Sequence, residues 1–239
     1  MTQEQEYKSL LAESRKDQNA LGFILAAGRG KEFYTKYSDY DVAIVVRDKN
    51  LTAAKAKYKK YSKIDLSVRS LSEFKKHANW RSDSAWDRYN FTHLKAIIDR
   101  GHIQQLIDDK GKVPQNKIKE TVTKALDAYL NYCHRSFKNF RDGNRPAARL
   151  DAAESIPFIL TALFAKESRL RPYNKYLAWE LKNHPLRSIS SSREFLKNID
   201  VILRTGNTAA QKKMLSFISR VFRPGFVKVF DGWRGYYFG

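Results

Sequence analysis

Three carboxylates are spaced as if for work. Asp39 and Asp41 lie one residue apart in Ser38-Asp39-Tyr40-Asp41-Val42-Ala43-Ile44-Val45-Val46, at the mouth of an apolar, β-branched run, and Asp65 follows in Ile64-Asp65-Leu66-Ser67-Val68. Side chains at i and i+2 of a strand share a face, so Asp39 and Asp41 are expected to point the same way, with Asp65 facing them from the next strand. Three carboxylates in one pocket repel one another unless cations fill it. Hard oxygen donors of this kind suit Mg²⁺, which is usually held by a few carboxylates together with substrate phosphates. Ions placed there would stabilise the attacking and leaving oxygens of a displacement at phosphorus. Upstream, Ala27-Gly28 is followed by Arg29-Gly30-Lys31. Glycines let the backbone come close to phosphates, whose charge Arg29 and Lys31 would offset.

The elements that must position these groups are legible in the hydropathy pattern. Tyr7, Leu10 and Leu11 recur among charges from Gln3 to about Gln18 at helical spacing. An apolar strand over 21–27 then ends at the glycine turn. Val42 to Val46 is unbroken enough for burial on both faces. In the strand from Ile64 to Val68, alternation puts Ile64, Leu66 and Val68 on one face and Asp65 with Ser67 on the other. Leu94 to Ile98 is a fourth, short strand, stopped at Asp99-Arg100-Gly101, and a helix is predicted from about His102 to Asp109.

After Gly111 the texture changes. Ile118, Val122, Leu126, Leu130, Cys133, Phe137 and Phe140 recur at steps of three and four, predicting a long helix from Lys117 to Arg141. Asn144 suits an N-cap, with Pro146 in the first turn of a helix over 145–165 that Pro157 should kink. Further helices are predicted over 173–182, 192–204 and 208–221, and the aromatic tail Val-Lys-Val-Phe-Asp-Gly-Trp-Arg-Gly-Tyr-Tyr-Phe-Gly is short of helix signals. Strands thus precede helices, which places a boundary near Val113-Pro114 and predicts an α+β chain of two domains, 1–113 and 114–239.

The 239 residues carry 45 Lys and Arg against 25 Asp and Glu, a net charge of +20, which favours nucleotide phosphates, nucleic acid or another polyanion as partner and disfavours a cationic one. Cys133 is the single cysteine, so no internal disulfide and no multi-cysteine zinc site can form, and a reducing, cytoplasmic setting is expected. The polar, acidic N-terminus is unlike a signal peptide, no run is long and apolar enough to span a bilayer, and no membrane partner is expected. The five histidines show no metal-ligand or triad spacing, and the four tryptophans suit packing. Lys55 to Lys63 suits a solvated basic face better than a nucleic-acid patch.

The order of strand, glycine turn, Asp-x-Asp strand and third acidic strand resembles the polymerase-β-like nucleotidyltransferase superfamily over roughly residues 21–68. The resemblance implies that Asp39, Asp41 and Asp65 are metal ligands and catalytic, and that Ala27, Gly28, Arg29 and Lys31 lie against the nucleotide. The glycine element departs from the family pattern: Ala27 replaces the first glycine, or else Arg29 replaces the usual serine. A strand-rich half followed by a helical half is also similar to the small-molecule, antibiotic-modifying type. That likeness implies a nucleotidyltransferase mixed sheet with flanking helices and a C-terminal helical bundle closing the cleft. It also implies a glutamate of the helical half as general base. Glu154, in Arg149-Leu150-Asp151-Ala152-Ala153-Glu154-Ser155, is the choice for that role ahead of Asp151, and Lys175 would contact phosphate.

The expected activity is then Mg²⁺-dependent transfer of a nucleoside monophosphate, AMP from ATP or another NTP, to a hydroxyl of a small-molecule acceptor, with release of pyrophosphate. The charge argues against a polycationic aminoglycoside as acceptor. Two alternatives stand beside it: a nucleic-acid-directed nucleotidyltransferase and an antitoxin-like enzyme modifying a partner protein.

Overall fold

A computed structural model gives the fold and describes residues 1–233 and 235. The chain divides into two compact units, Met1–Lys112 and Val113–Gly239.

The first unit is built on a four-stranded mixed sheet. Helix α1 (Gln3–Lys16) opens on a capping box in which Thr2 and Gln5 exchange side-chain to backbone hydrogen bonds. It is followed by β1 (Ala20–Leu25), the single turn α2 (Ala27–Gly30), β2 (Asp41–Val46), α3 (Leu51–Tyr58), β3 (Asp65–Ser70), α4 (Leu71–Lys76), β4 (Ala96–Asp99) and α5 (Ile103–Lys110). The spatial order is β3-β2-β1-β4. β1 runs antiparallel to β2 and β4, while β2 and β3 are parallel, joined by a crossover through α3. The expected α+β class and the four strands are present, with their ends shifted by one or two residues. The glycine turn is one turn of helix, and α4 carries a signal that the sequence reading passed over: Ser70 and Glu73 form a second capping box.

Each face of the sheet buries a separate apolar layer. Phe23, Val42, Ile44 and Val46 pack with Leu10 of α1 and Tyr58 of α3, and Leu66 and Val68 join them from β3. Leu21, Ile24 and Val45 pack on the other face with Phe74 of α4, Ile103 and Ile107 of α5, and Phe91 and Leu94. A β-bulge between Ala20 and Gly22 breaks the alternation at the start of β1. Leu21 and Gly22 then both turn toward α5, and a Cβ on Gly22 would sit 2.7 Å from the Ile103 side chain.

The stretch from His77 to Lys95 contains only 3-10 turns and leaves many carbonyls without a ladder partner. Buried cations supply some of the missing donors and tie the stretch to α4 and to the end of α5. Arg88 (5 % exposed) donates to the carbonyls of Ala78, Asp109 and Lys112 at 2.7–2.8 Å. Lys110 (4 %) donates to those of Lys75 and His77, and Lys31 (3 %) to those of Asn90 and Thr92.

The second unit is helical: α6 (Ile118–Arg141), α7 (Arg145–Lys166), α8 (Leu177–Asn183), α9 (Ser192–Thr205), α10 (Thr208–Phe222) and α11 (Val227–Gly232). Buried Ala148 and Ala152 face α6, where Ser136 donates its hydroxyl to the Ala148 carbonyl and accepts from Gln211 of α10. Asn144 caps α7 as expected, accepting the Ala147 N–H. Pro157 lies inside α7, which is continuous through it. Cys133 is buried and its thiol is pushed up to about 12 by burial, so it stays protonated and inert. The tail departs from expectation at its start, where α11 forms with Phe230 buried. Arg234 and residues 236–239 lie outside the described residues.

Candidate active site

The position of the carboxylates follows from strand parity. Tyr40 faces α1, stacked on Tyr7 with ring centroids 4.9 Å apart. Alternation sends the next residue, Asp41, through the sheet to the other face. The parallel register sets Asp41 beside Asp65, Ala43 beside Ser67 and Val45 beside Arg69. Adjacent strands lie about 4.8 Å apart, so the two Asp backbones are immediate neighbours. Both line a cavity of about 140 Å³, walled by Ile24, Ala26 and Ala27 at the end of β1, Ser67 and Arg69 of β3, Phe74 of α4, and Asp87, Asn90, Phe91 and Leu94.

Asp39 is not part of that wall. The register of β2 with β3 starts at Asp41, and residue 39 is exposed in the loop ahead of it. The backbone there is fixed from below, because Arg29 donates to the carbonyls of Ser38 (2.9 Å) and Asp39 (3.1 Å) while its guanidinium lies 3.9 Å from the Tyr40 ring centre. Among the described residues no three His, Cys, Asp or Glu side chains are placed to hold a metal ion together. Asp41 and Asp65 remain as an adjacent pair of hard oxygen donors. That pair fits Mg²⁺ in the manner of an ion that takes one or two carboxylates and completes its shell with phosphate and water.

The residues around the glycine turn divide. Ala27 lines the cavity at φ +46, in the left-handed region where glycine is at ease and alanine is strained. Gly30 is enclosed, since a Cβ there would lie 2.0 Å from the Leu25 carbonyl oxygen. Gly28 accepts the Phe33 N–H and closes the turn. Arg29 braces the loop ahead of β2, and Lys31 is committed to the carbonyls of the 90–92 segment with its ammonium 5.2 Å from the Tyr89 ring centre. Neither Arg29 nor Lys31 lines the cavity. The reason is long-range: the irregular segment needs a donor where Lys31 stands.

Two site candidates belong to the second unit. Glu154 is exposed on α7, whereas Asp151, one turn earlier, is buried and held by Asn139 (2.7 Å) and Arg135 (3.2 Å). Lys175 is exposed in a 3-10 turn with its ammonium 4.8 Å from the Tyr176 ring centre.

The cavity also holds groups the sequence reading missed. Arg69 follows Asp65 and Ser67 at strand period, a signal that was available. Asp87 and Asn90 come from the irregular segment, where no period exists to find them. His77 Nε2 lies 2.6 Å from Asp87, and Asn90 donates to the same carboxylate. Burial pulls His77 below its usual value against the opposing Asp87 hydrogen bond, so the imidazole is neutral near pH 7 and donates Nε2–H to Asp87.

No helix is long and apolar enough to cross a membrane among the described residues. No family model matches the sequence, and no curated protein matches it. Among solved structures, the chain is similar to a nucleotidyltransferase-like protein from Exiguobacterium sibiricum, at 12% identity over 96% of this chain and 75% of that one, with a TM-score of 0.45.

Proposed function

We propose that the chain is a nucleotidyltransferase that moves AMP from ATP to a hydroxyl of a small acceptor. The observation that carries the reading is the in-register pairing of Asp41 with Asp65 at a cavity bordered by the glycine turn. The acceptor oxygen attacks the α-phosphorus, the bond to the pyrophosphate oxygen breaks, and pyrophosphate leaves with its electron pair. Asp41 and Asp65 would hold Mg²⁺, with Asp39 joining them from its loop when nucleotide is present. Bound there, the ion supplies positive charge to the phosphate oxygens. Ala27 and Gly28 bring backbone close to the nucleotide, Lys175 contributes charge to it, and Glu154 accepts the acceptor's proton.

The test is pyrophosphate release from labelled NTPs offered with hydroxyl-bearing acceptors, in wild type and Glu154→Gln. A positioned base contributes about 10²–10⁴-fold, so Glu154→Gln is expected to bind ATP normally and turn over slowly by that factor. Wild-type protein that releases no pyrophosphate with any NTP and acceptor contradicts the reading. Normal turnover in Glu154→Gln removes the base assignment alone.

A second reading has its own observation. The loop ahead of β2 exposes Tyr34 (57 %) and Tyr37 (81 %), with Arg29 4.8 Å from the first ring centre and Lys36 5.0 Å from the second. Aromatic and basic groups interleaved on a +20 chain suit a single nucleic-acid strand as acceptor. Steeply salt-dependent RNA binding, lost in Tyr34→Ala with Tyr37→Ala, would favour it. ATP-dependent labelling of a protein would favour the partner-modifying alternative.

A further inference from the structure

We infer that Arg69 is the oxyanion-binding residue of the cavity, holding a phosphate or carboxylate group of the ligand at the far end of the β3 face from Asp65. The inference deepens the nucleotidyl-transfer reading and rests on it only for which ligand carries the acid. Asp65, Ser67 and Arg69 lie at i, i+2 and i+4 and all line the cavity. At about 3.3 Å per residue the Asp65 and Arg69 backbones are roughly 13 Å apart, so a ligand group held by Arg69 is separate from whatever the carboxylate pair holds.

Arg69 is partly buried, and among the described residues its side chain makes no hydrogen bond or ion pair, not even to Asp87 in the same wall. Its donors are therefore open to a group entering the cavity. Arg88 shows the contrast nearby: it is buried, and it gives its donors to three carbonyls. Asp87 is no substitute partner, because His77 and Asn90 already bond its carboxylate. The wall of the cavity mixes charge, with Arg69 at one end and Asp41, Asp65 and Asp87 also in it, and behind Arg69 stand further cations. Lys110 is lowered to about 8, first by burial and then by the charges of Arg88 and Arg69. An anion drawn into the cavity would relieve that repulsion, and the planar fork suits bidentate contact with phosphate or carboxylate. Ser67, between the two ends, can add a hydroxyl.

The oxyanion is either an acidic group of the acceptor or a phosphate of the nucleotide, and binding measurements separate them. Inorganic phosphate and ATP are titrated by calorimetry into the full chain as wild type, Arg69→Lys and Arg69→Gln. Phosphate is expected to bind wild type at least tenfold more tightly than Arg69→Gln, with Arg69→Lys between them because it keeps charge but loses the fork. Unchanged ATP affinity in Arg69→Gln assigns the group to the acceptor, and weakened ATP affinity assigns it to the nucleotide. Equal binding of both probes by wild type and variants overturns the inference, as does a wild type with no saturable phosphate binding. Arg69→Lys carries the test if Arg69→Gln does not fold. Pyrophosphate release is followed in the same wild-type preparation. Its absence beside Arg69-dependent phosphate binding removes the transfer reading and leaves the oxyanion site standing.

Discussion

The two faces of the first unit's sheet bury similar apolar strands in different ways. On one face regular helices do the covering. α1 and α3 meet Phe23 and Ile44, and their polar groups pair at the rim, where Tyr61 donates to Glu13 (2.6 Å), Tyr58 to Asp17 (3.0 Å) and Lys57 to Asp17 (2.7 Å). Helices satisfy their own backbones, so side chains there are free to pair with side chains. On the other face part of the cover is the stretch from His77 to Lys95, whose carbonyls need donors, and Lys31, Arg88 and Lys110 each bond at least one of them. The cavity lies on this second face. The difference teaches that irregular cover leaves room for a site and requires buried charge to hold it in place.

The largest effect expected is from Gly30→Ala. Its methyl would lie 2.0 Å from the Leu25 oxygen and 2.7 Å from the Leu94 side chain, so the turn leading to the cavity cannot close unchanged. A loss of roughly 3 kcal/mol or more in urea unfolding is expected, and a loss below about 1 kcal/mol would show that the turn yields easily. Next is the contrast between Arg88→Met, which takes the donor from three carbonyls, one of them fully buried, and should cost about 2–4 kcal/mol, and Tyr61→Phe on the helical face, which should cost about 1 kcal/mol. Equal costs would erase the distinction between the faces.

The faces should also answer to opposite ends of the pH scale. The Lys110 ammonium has a folded value of about 8 against an ordinary 10.5. Between those values the unfolded chain binds more protons, so stability rises with pH, and this rise should vanish in Lys110→Met. On the helical face burial pushes Glu13 and Asp17 up, but bonds from Lys60 and Tyr61, and from Lys57, Asn19 and Tyr58, outweigh it and hold both carboxyls below 4.5 and 3.8. Their contribution is present above those ordinary values and lost as pH falls through the lowered ones, a loss that Asp17→Asn should reduce. Unfolding free energies across pH 2–11 for wild type, Lys110→Met and Asp17→Asn check both slopes; parallel curves would contradict the assignment. The smallest effect is Ala27→Gly, which removes left-handed strain at φ +46 and should leave stability unchanged or raised by up to about 1 kcal/mol. A clear loss would show that the Ala27 methyl packs usefully against the cavity.

Legibility in the sequence followed periodicity. The strands themselves, and the face that Asp65 shares with Ser67, were readable because alternation and a buried apolar run fix which side chains share a face, whereas the pairing of Asp41 with Asp65 is a long-range register. Arg69 obeys the same parity and needed only two more residues of the same reasoning. Asp39 lies in the loop ahead of β2, where strand parity does not fix a face, and that loop is held by the Asp65 N–H on the Tyr40 carbonyl and by Arg29. Lys31 looked like a phosphate ligand because it follows a glycine turn, and its burial depends on a segment 59 to 61 residues away. Asp87, Asn90 and His77 carry no period. Asp151 and Glu154 differ by three positions on α7, enough to bury one against Asn139 and expose the other.

The central claim is that Asp41 and Asp65 act as one unit in nucleotide transfer. It is tested most directly by a double-mutant cycle of Asp41→Asn and Asp65→Asn, with initial rates of pyrophosphate release from ATP as the readout and thermal unfolding as the control for fold. Groups that act together are strongly non-additive. Either single change is expected to remove most of the wild-type rate, the double variant to be little worse than the more damaging single, and all three to unfold like wild type. Single variants that retain near-wild-type rates, or losses that simply multiply in the double variant, would contradict the claim.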